Sequence, residues 1–168
     1  MPPSTPEFWA RRGALSLLLA PLGCIYDSVS VARRAFVQAY RAPVPVICVG
    51  NLVAGGAGKT PIVADLARRL TARGIAVHVL SRGYGGTLPG PVRVDPDRHD
   101  AAAVGDEPLM LARGAPTWIA RDRAAGARAA AAAGAQAILM DDGLQNPTLA
   151  KDLSLVALDG GYGFGTWR

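Results

Sequence analysis

The sequence predicts a three-layer α/β fold with a parallel sheet, preceded by an N-terminal hydrophobic or amphipathic helix. From residue 43 onward, short apolar and β-branched runs alternate with helix-like segments. This alternation is typical of parallel strands that are joined by right-handed crossovers. Glycine-rich or acidic segments follow four of the predicted strands, at the sheet edge where ligands bind in this fold class.

The first predicted strand covers residues 44–49 (VPVICV), which are apolar throughout, as in a strand buried on both faces. A helix follows at residues 60–73, with apolar side chains on one face, and Gly74 ends it. The other predicted elements are helices at residues 107–113 and 122–133 and strands at residues 75–80, 117–120, 135–140 and 153–158. Together they form a predicted core lobe at residues 43–168.

Residues 1–42 are predicted to form a separate N-terminal segment. Residues 13–26 (GALSLLLAPLGCIY) are apolar and follow two arginines, but they are shorter than the ~20 residues that span a bilayer. An apolar stripe at helical spacing comes next, with arginines beside it. This pattern fits a helix that lies in a membrane interface. A hydrophobic helix packed on its own domain fits the composition equally well.

Composition and charge exclude several classes of protein. Half of the residues are hydrophobic and 18% are charged, which argues against disorder. The net charge of +5 comes from scattered arginines without interleaved aromatic residues, so nucleic acid is not an expected partner. Cys24 and Cys48 lie in apolar surroundings without metal-ligand spacing, which predicts buried thiols.

Residues 49–61 (VGNLVAGGAGKTP) have the features of a phosphate-binding loop. Their glycines allow the backbone to approach an anion, and the following helix directs its N–H groups towards it. Lys59 can reach phosphate oxygens, and the Thr60 hydroxyl can bind Mg²⁺. Val53 replaces the first glycine of the standard G-x-x-x-x-G-K-[ST] loop, which weakens the motif. The preceding strand and following helix still favour a P-loop NTPase-like site.

The chain contains two pairs of adjacent acidic residues that are candidate site residues. Asp141 and Asp142 follow an apolar strand. Such a pair on its own often forms an ordinary turn, but together with the phosphate loop it favours carboxylate ligands for Mg²⁺. Asp106 and Glu107 precede a short helix, where carboxylates are favourable in any case. General-base chemistry and Mg²⁺ coordination both remain open for this second pair.

A glycine-rich loop at residues 81–86 (SRGYGG) follows the second predicted strand. Arg82 can pair with a phosphate, and Tyr84 can stack on a ligand or position it. The loop by itself is a weak indication of function.

Taken in order, the segments GNLVAGGAGKTP, LSRGYGG, VGDEP, DDGLQ and DGGYGFG resemble those of the tetraacyldisaccharide 4′-kinases, the lipid A 4′-kinases. The resemblance extends from about Pro6 to Gly165 and includes that family's membrane-associated N-terminal segment. It implies a kinase on the cytoplasmic face of the bacterial inner membrane that uses ATP and Mg²⁺. The implied substrate is the 4′-hydroxyl of a tetraacyl disaccharide 1-phosphate. The implied partners are this lipid and the membrane surface, and no protein partner is indicated.

The resemblance also implies roles for individual residues. The implied ATP-binding residues are Gly55, Gly56, Ala57, Gly58, Lys59 and Thr60. The resemblance places Asp141 and Asp142 at the Mg²⁺ position, and Thr60 and Glu107 are the further predicted Mg²⁺ ligands. Asp106 would assist deprotonation of the sugar hydroxyl, and Lys59 would be the second catalytic residue. Tyr84 and Gln145 match active-site positions of the family, and Arg82 is predicted to contact the substrate with them.

The chain departs from the family pattern in two respects. Family members are about twice as long, with a second lobe that contributes a histidine thought to partner the aspartate at the Asp106 position. Residues 165–168 (GTWR) also differ from the usual continuation. We therefore expect that the chain is incomplete. It should bind Mg-ATP weakly and show negligible turnover of the substrate. The alternatives are a P-loop regulatory ATPase without a lipid substrate, whose additional loop lysine is absent here, and a non-catalytic nucleotide-binding remnant.

Overall fold

The computed structural model describes residues 37–51 and 58–158. Its strands are β1 (Val46–Gly50), β2 (Val77–Ser81), β3 (Val92–Arg93), β4 (Thr117–Ile119), β5 (Ala137–Asp141) and β6 (Leu153–Val156). Its helices are α1 (Lys59–Thr71), α2 (Ala101–Val104), α3 (Asp106–Ala112) and α4 (Arg123–Ala132). The predicted N-terminal helix falls largely outside the described residues. In the part of the chain that is described, no helix is long and apolar enough to cross a membrane.

The six strands form one sheet in the order β3–β4–β2–β5–β1–β6. All neighbouring strands are parallel except β3, which runs antiparallel to β4. The chain passes from β1 to β2 and later returns to insert β5 between them, with Leu139 opposite Ile47 on one side and Val79 on the other. The segments that follow β1, β2 and β5 consequently meet at one edge of the sheet.

The edge strand β3 is a departure from the prediction of a wholly parallel sheet. It contains only Val92 and Arg93, which are too few residues to show a strand periodicity in the sequence. Otherwise parallel sheets commonly carry an antiparallel edge strand of this kind.

Each face of the sheet has its own apolar cluster, because side chains alternate between the two faces of a strand. Cys48 and Met140 pack in the cluster that contains Ala127 and Ala130 of α4. Val49 and Leu139 pack in the other, with residues of α1 and α3. The predicted three-layer arrangement is thereby confirmed for the described residues.

The prediction of a buried thiol is confirmed for Cys48, which is completely buried. Burial raises its pKa to about 11. Cys24 lies outside the described residues.

Two acidic positions differ from their predicted places. Asp141 is the last residue of β5 rather than the first residue after it. Asp106 begins α3, one residue before the predicted start of that helix at Glu107, so both residues lie in its first turn. In the second case, Gly105 occupies the cap position, and carboxylates are stabilised in a first turn by the unpaired N–H groups there.

Candidate active site

A cleft of about 1110 Å³ lies at the carboxyl ends of β1, β2, β4 and β5. The predicted site residues that line it are Lys59, Arg82, Tyr84, Asp106, Glu107, Asp141, Asp142 and Gln145. Thr60 is buried at the start of α1, and Gly58 caps that helix; neither is among the lining residues. Gly55, Gly56 and Ala57 lie outside the described residues. Residues from segments far apart in the sequence therefore surround one cavity.

Lys59 is held at the start of α1, between the ends of β1 and β5. The preceding Gly58 has a φ of 67°, a left-handed conformation that glycine adopts without a steric penalty. The Lys59 Nζ donates to Asn51 Oδ1 at 2.9 Å and lies 3.2 Å from Asp142 Oδ2. No acidic residue occupies the first turn of α1. The ammonium and the helix N-terminus together favour an anion at this position.

Asp141 presents an unpaired carboxylate to the cleft. Asp141 is only 2% exposed, and neither of its carboxylate oxygens has a hydrogen-bond partner among the described residues. Burial raises the pKa of Asp141 to about 6; Glu107 and Asp142 add to this effect, while Lys59 and Arg123 oppose it. A buried carboxylate without hydrogen bonds is costly unless a cation compensates its charge. Asp141 therefore fits the ligand set of a divalent cation.

The number of acidic residues around the cleft is also suitable for binding Mg²⁺. Within residues 37–51 and 58–158, no group of three or more His, Cys, Asp or Glu side chains is arranged to hold a metal ion. Mg²⁺ usually takes one or two carboxylates and completes its coordination with water and substrate phosphates. Asp141 and Asp142 satisfy that smaller requirement.

The SRGYGG loop packs directly against the start of α3. Gly105 has φ 91° and ψ 153°, and a Cβ atom there would lie 2.5 Å from the Tyr84 carbonyl oxygen. A Cβ atom at Gly86 would similarly lie 2.7 Å from the Ala103 carbonyl oxygen. This close backbone approach brings Tyr84, which is 85% exposed, to the same cleft as Asp106.

Another part of the cleft lining is a loop held by Lys151. The Lys151 Nζ donates to the carbonyl oxygens of Leu144, at 3.1 Å, and Asn146, at 2.6 Å. Leu144 also packs against the apolar cluster on the α4 face of the sheet. These contacts fix the backbone on both sides of Gln145, whose side chain lines the cleft.

The lining residues that the sequence analysis did not name as site residues include Asn51, Arg121 and Arg123. Asn51 follows β1 directly, and both arginines follow β4. The rule that ligand-binding residues follow strands could have identified all three. The sequence analysis assigns Arg123 only to the helix predicted at residues 122–133, although this residue is only 4% exposed.

Comparisons with known proteins point to one family. The chain matches the family model described as tetraacyldisaccharide-1-P 4′-kinase over residues 15–168. Curated relatives named tetraacyldisaccharide 4′-kinase include those of Dinoroseobacter shibae, 64% identical over 167 residues, and Rhodospirillum centenum, 60% identical over 168 residues. Each alignment covers 97% of this chain and 50% of the relative. The chain thus spans about half the length of the curated relatives it matches.

A solved structure supports the same relationship. The fold is similar to the crystal structure of the "apo" form of LpxK from Aquifex aeolicus in complex with ATP, with a TM-score of 0.72 and 31% identity. The similarity covers 84% of this chain and 48% of that one. The predicted P-loop NTPase-like fold is therefore confirmed, and the chain belongs to the tetraacyldisaccharide-1-P 4′-kinase family.

Proposed function

We propose that the chain is the nucleotide-binding lobe of a kinase that transfers the γ-phosphate of ATP to the 4′-hydroxyl of a tetraacyl disaccharide 1-phosphate, in lipid A synthesis. Family membership supports the reaction, and the related LpxK structure in complex with ATP supports the nucleotide. The observation that carries the proposal is the meeting of the Lys59 ammonium and the unpaired Asp141 carboxylate in one cleft.

The phosphates of ATP would bind at the N-terminus of α1. Lys59 would exchange part of its contact with Asn51 and Asp142 for phosphate oxygens. Because its ammonium is already held at the cleft, little reorientation is needed. The remaining contacts would come from Gly55, Gly56, Ala57, Gly58 and Thr60, as the family resemblance implies. Such positioning and charge neutralisation are the main requirements of phosphoryl transfer.

Mg²⁺ would be held by Asp141 and Asp142, with Thr60 and Glu107 as the other proposed ligands. When bound, the ion neutralises charge on the β- and γ-phosphate oxygens. Asp141 suits this role because its oxygens have no competing hydrogen bonds among the described residues.

The acceptor sugar would bind on the side of the cleft formed by α3 and the SRGYGG loop. Asp106 is exposed in the first turn of α3 and would accept the proton of the 4′-hydroxyl. Tyr84 and Gln145 would position the disaccharide, and Arg82 would pair with a phosphate group.

The reaction can be tested with this chain, alone and joined to the second half of the Dinoroseobacter shibae relative. Each protein is incubated with radiolabelled ATP, Mg²⁺ and the tetraacyl disaccharide 1-phosphate. We expect a 4′-phosphorylated lipid from the joined protein, none from its Lys59→Ala variant, and negligible product from the chain alone. ATP hydrolysis without labelled lipid would refute the proposal and support the regulatory ATPase.

We also propose that residues 1–42 attach the protein to the cytoplasmic face of the inner membrane. The apolar run, the flanking arginines and the family resemblance support this location. Flotation with phospholipid vesicles would compare the intact chain with a deletion of residues 8–40. Equal flotation of the two proteins would show that this segment is not the anchor.

A further inference from the structure

Arg123 is a buried cation at the base of the cleft. It is the first residue of α4, and Asp122 fixes the start of that helix by accepting hydrogen bonds from Ala124 N and Ala125 N. Only 4% of Arg123 is exposed, yet it lines the cleft. Burying a guanidinium is costly unless its contacts compensate, so the contacts of Arg123 indicate what it does.

The guanidinium of Arg123 joins the ends of two strands. Nη1 donates to the Ala120 carbonyl oxygen at 2.6 Å, directly after β4, and Nη2 donates to the Asp142 carbonyl oxygen at 3.1 Å, directly after β5. Because β2 lies between β4 and β5, these two bonds extend across the carboxyl end of β2. The fork of an arginine can hold two such acceptors at once, whereas a lysine presents a single nitrogen.

Hydrogen bonds to neighbouring segments hold the Asp142 backbone in an unusual conformation. Asp142 has a φ of 55°, and among the described residues it is the only non-glycine residue with a positive φ. This left-handed conformation is sterically unfavourable for residues with a side chain, although Asp and Asn adopt it more readily than most. Its N–H donates to the Val49 carbonyl oxygen at 2.9 Å, and its carbonyl oxygen accepts from Arg123. The peptide groups on both sides of Asp142 are thereby held.

The same contacts leave the acidic ligand atoms available. Arginine commonly binds carboxylates with two parallel hydrogen bonds, but the bonds of Arg123 go to backbone carbonyls. Burial lowers the pKa of Arg123 to about 10, and nearby Arg82 adds to the effect, so Arg123 stays protonated at neutral pH. Asp141 and Asp142 stabilise that charge from a distance. The cation thus supports the acidic turn without occupying the oxygens of Asp141.

We propose that Arg123 is a positioning residue that holds Asp142 in its left-handed conformation, so that Asp141 and Asp142 present their carboxylates to the metal of Mg-ATP. The inference rests on the proposed function in assigning this acidic turn to Mg²⁺. It adds a residue whose effect is confined to the metal-dependent part of nucleotide binding.

The test is calorimetry of ATP binding to the chain in excess Mg²⁺ and, separately, in excess EDTA. In Arg123→Met, we expect the affinity for Mg-ATP to fall about tenfold or more, as for other residues that orient metal ligands. The affinity in EDTA should change less than about twofold, because Lys59 and the helix N-terminus remain. Arg123→Lys should recover part of the loss. Arg128→Met is the matched control, since exposed Arg128 lies on the same helix and contacts only the Tyr40 ring among the contacts described.

Comparing the ATP affinity in Mg²⁺ with that in EDTA separates a positioning role from a general structural role. A general structural role would weaken ATP binding in both conditions. An equal loss in Mg²⁺ and EDTA, or no loss in either, would overturn the proposal. If circular dichroism shows that Arg123→Met is unfolded, the same comparison on Arg123→Lys decides. An unsubstituted chain whose ATP affinity does not rise with Mg²⁺, or that binds no ATP, would also overturn it. Because no lipid is present, failure of lipid phosphorylation alone would refute only the proposed function.

Discussion

Replacing Asp141 with asparagine should stabilise the metal-free protein at neutral pH. The side chain is almost completely buried and its oxygens lack hydrogen-bond partners among the described residues, so its ionised form is poorly solvated. Burial raises its pKa from an ordinary 3.8 to about 6. At 1.36 kcal/mol per pH unit, this difference corresponds to about 3 kcal/mol. Asparagine has nearly the same shape and removes the charge.

The direction of the effect follows from proton linkage. The folded state binds the Asp141 proton more tightly than the unfolded chain does, so ionisation destabilises the fold. The penalty is absent well below pH 3.8, grows between pH 3.8 and about 6, and is complete above that range. The substitution should therefore raise the free energy of unfolding by up to about 3 kcal/mol near pH 7.5, and by much less near pH 4.

Urea unfolding in EDTA, followed by circular dichroism at both pH values, measures this difference. Asp142→Asn is the matched control, because that neighbouring side chain is 54% exposed and its ion pair with Lys59 should contribute only about 0–1 kcal/mol. The reasoning would be refuted if Asp141→Asn destabilised the protein at neutral pH or stabilised it equally at both pH values. The stabilised variant should also lose Mg²⁺-dependent ATP binding, since its amide is a weaker ligand than a carboxylate.

Three further predictions concern the loop lysine, the packed glycines and the buried thiol. Lys59→Ala should weaken ATP binding at least about tenfold by calorimetry, through loss of a charge-assisted hydrogen bond; an unchanged Kd would contradict its predicted role. Gly105→Ala should lower the free energy of unfolding by about 3 kcal/mol, because it combines a positive φ with a clash against the Tyr84 carbonyl. Gly85 also has a positive φ but has open space around it, so Gly85→Ala should lower the free energy of unfolding by only about 1 kcal/mol. Equal losses for the two variants in urea unfolding would argue against the clash at Gly105. Cys48 should resist iodoacetamide near pH 8 until the protein unfolds, because burial raises its pKa to about 11; rapid labelling of the folded protein, detected by peptide mapping, would contradict its burial.

Local sequence patterns were sufficient for much of the fold. The apolar runs that became β1, β2 and β5 and the amphipathic pattern that became α1 were each recognised within one or two residues of their ends. Such patterns predict elements well because periodicity reflects burial on one or two faces. The two residues of β3 carry no such periodicity, and they were missed.

The site was predictable to the extent that its residues follow strands. That rule selected Lys59, Arg82 and Asp141, all of which line the cleft. It was not applied to the residues after β4, so Arg123 was assigned only to its helix. The roles proposed for all of these residues stay predictions until they are tested.

The sequence by itself determined the fold class and the family and predicted the phosphate-binding loop, because each depends on residues close together in the chain or on the order of short motifs. The tertiary structure alone decided the placement of β5 between β1 and β2, which buries Asp141 beside Lys59. It also decided the contact of Arg123 with the Asp142 carbonyl. Burial, the resulting pKa and a hydrogen bond between distant segments depend on which strands become neighbours, and no local pattern contains that information.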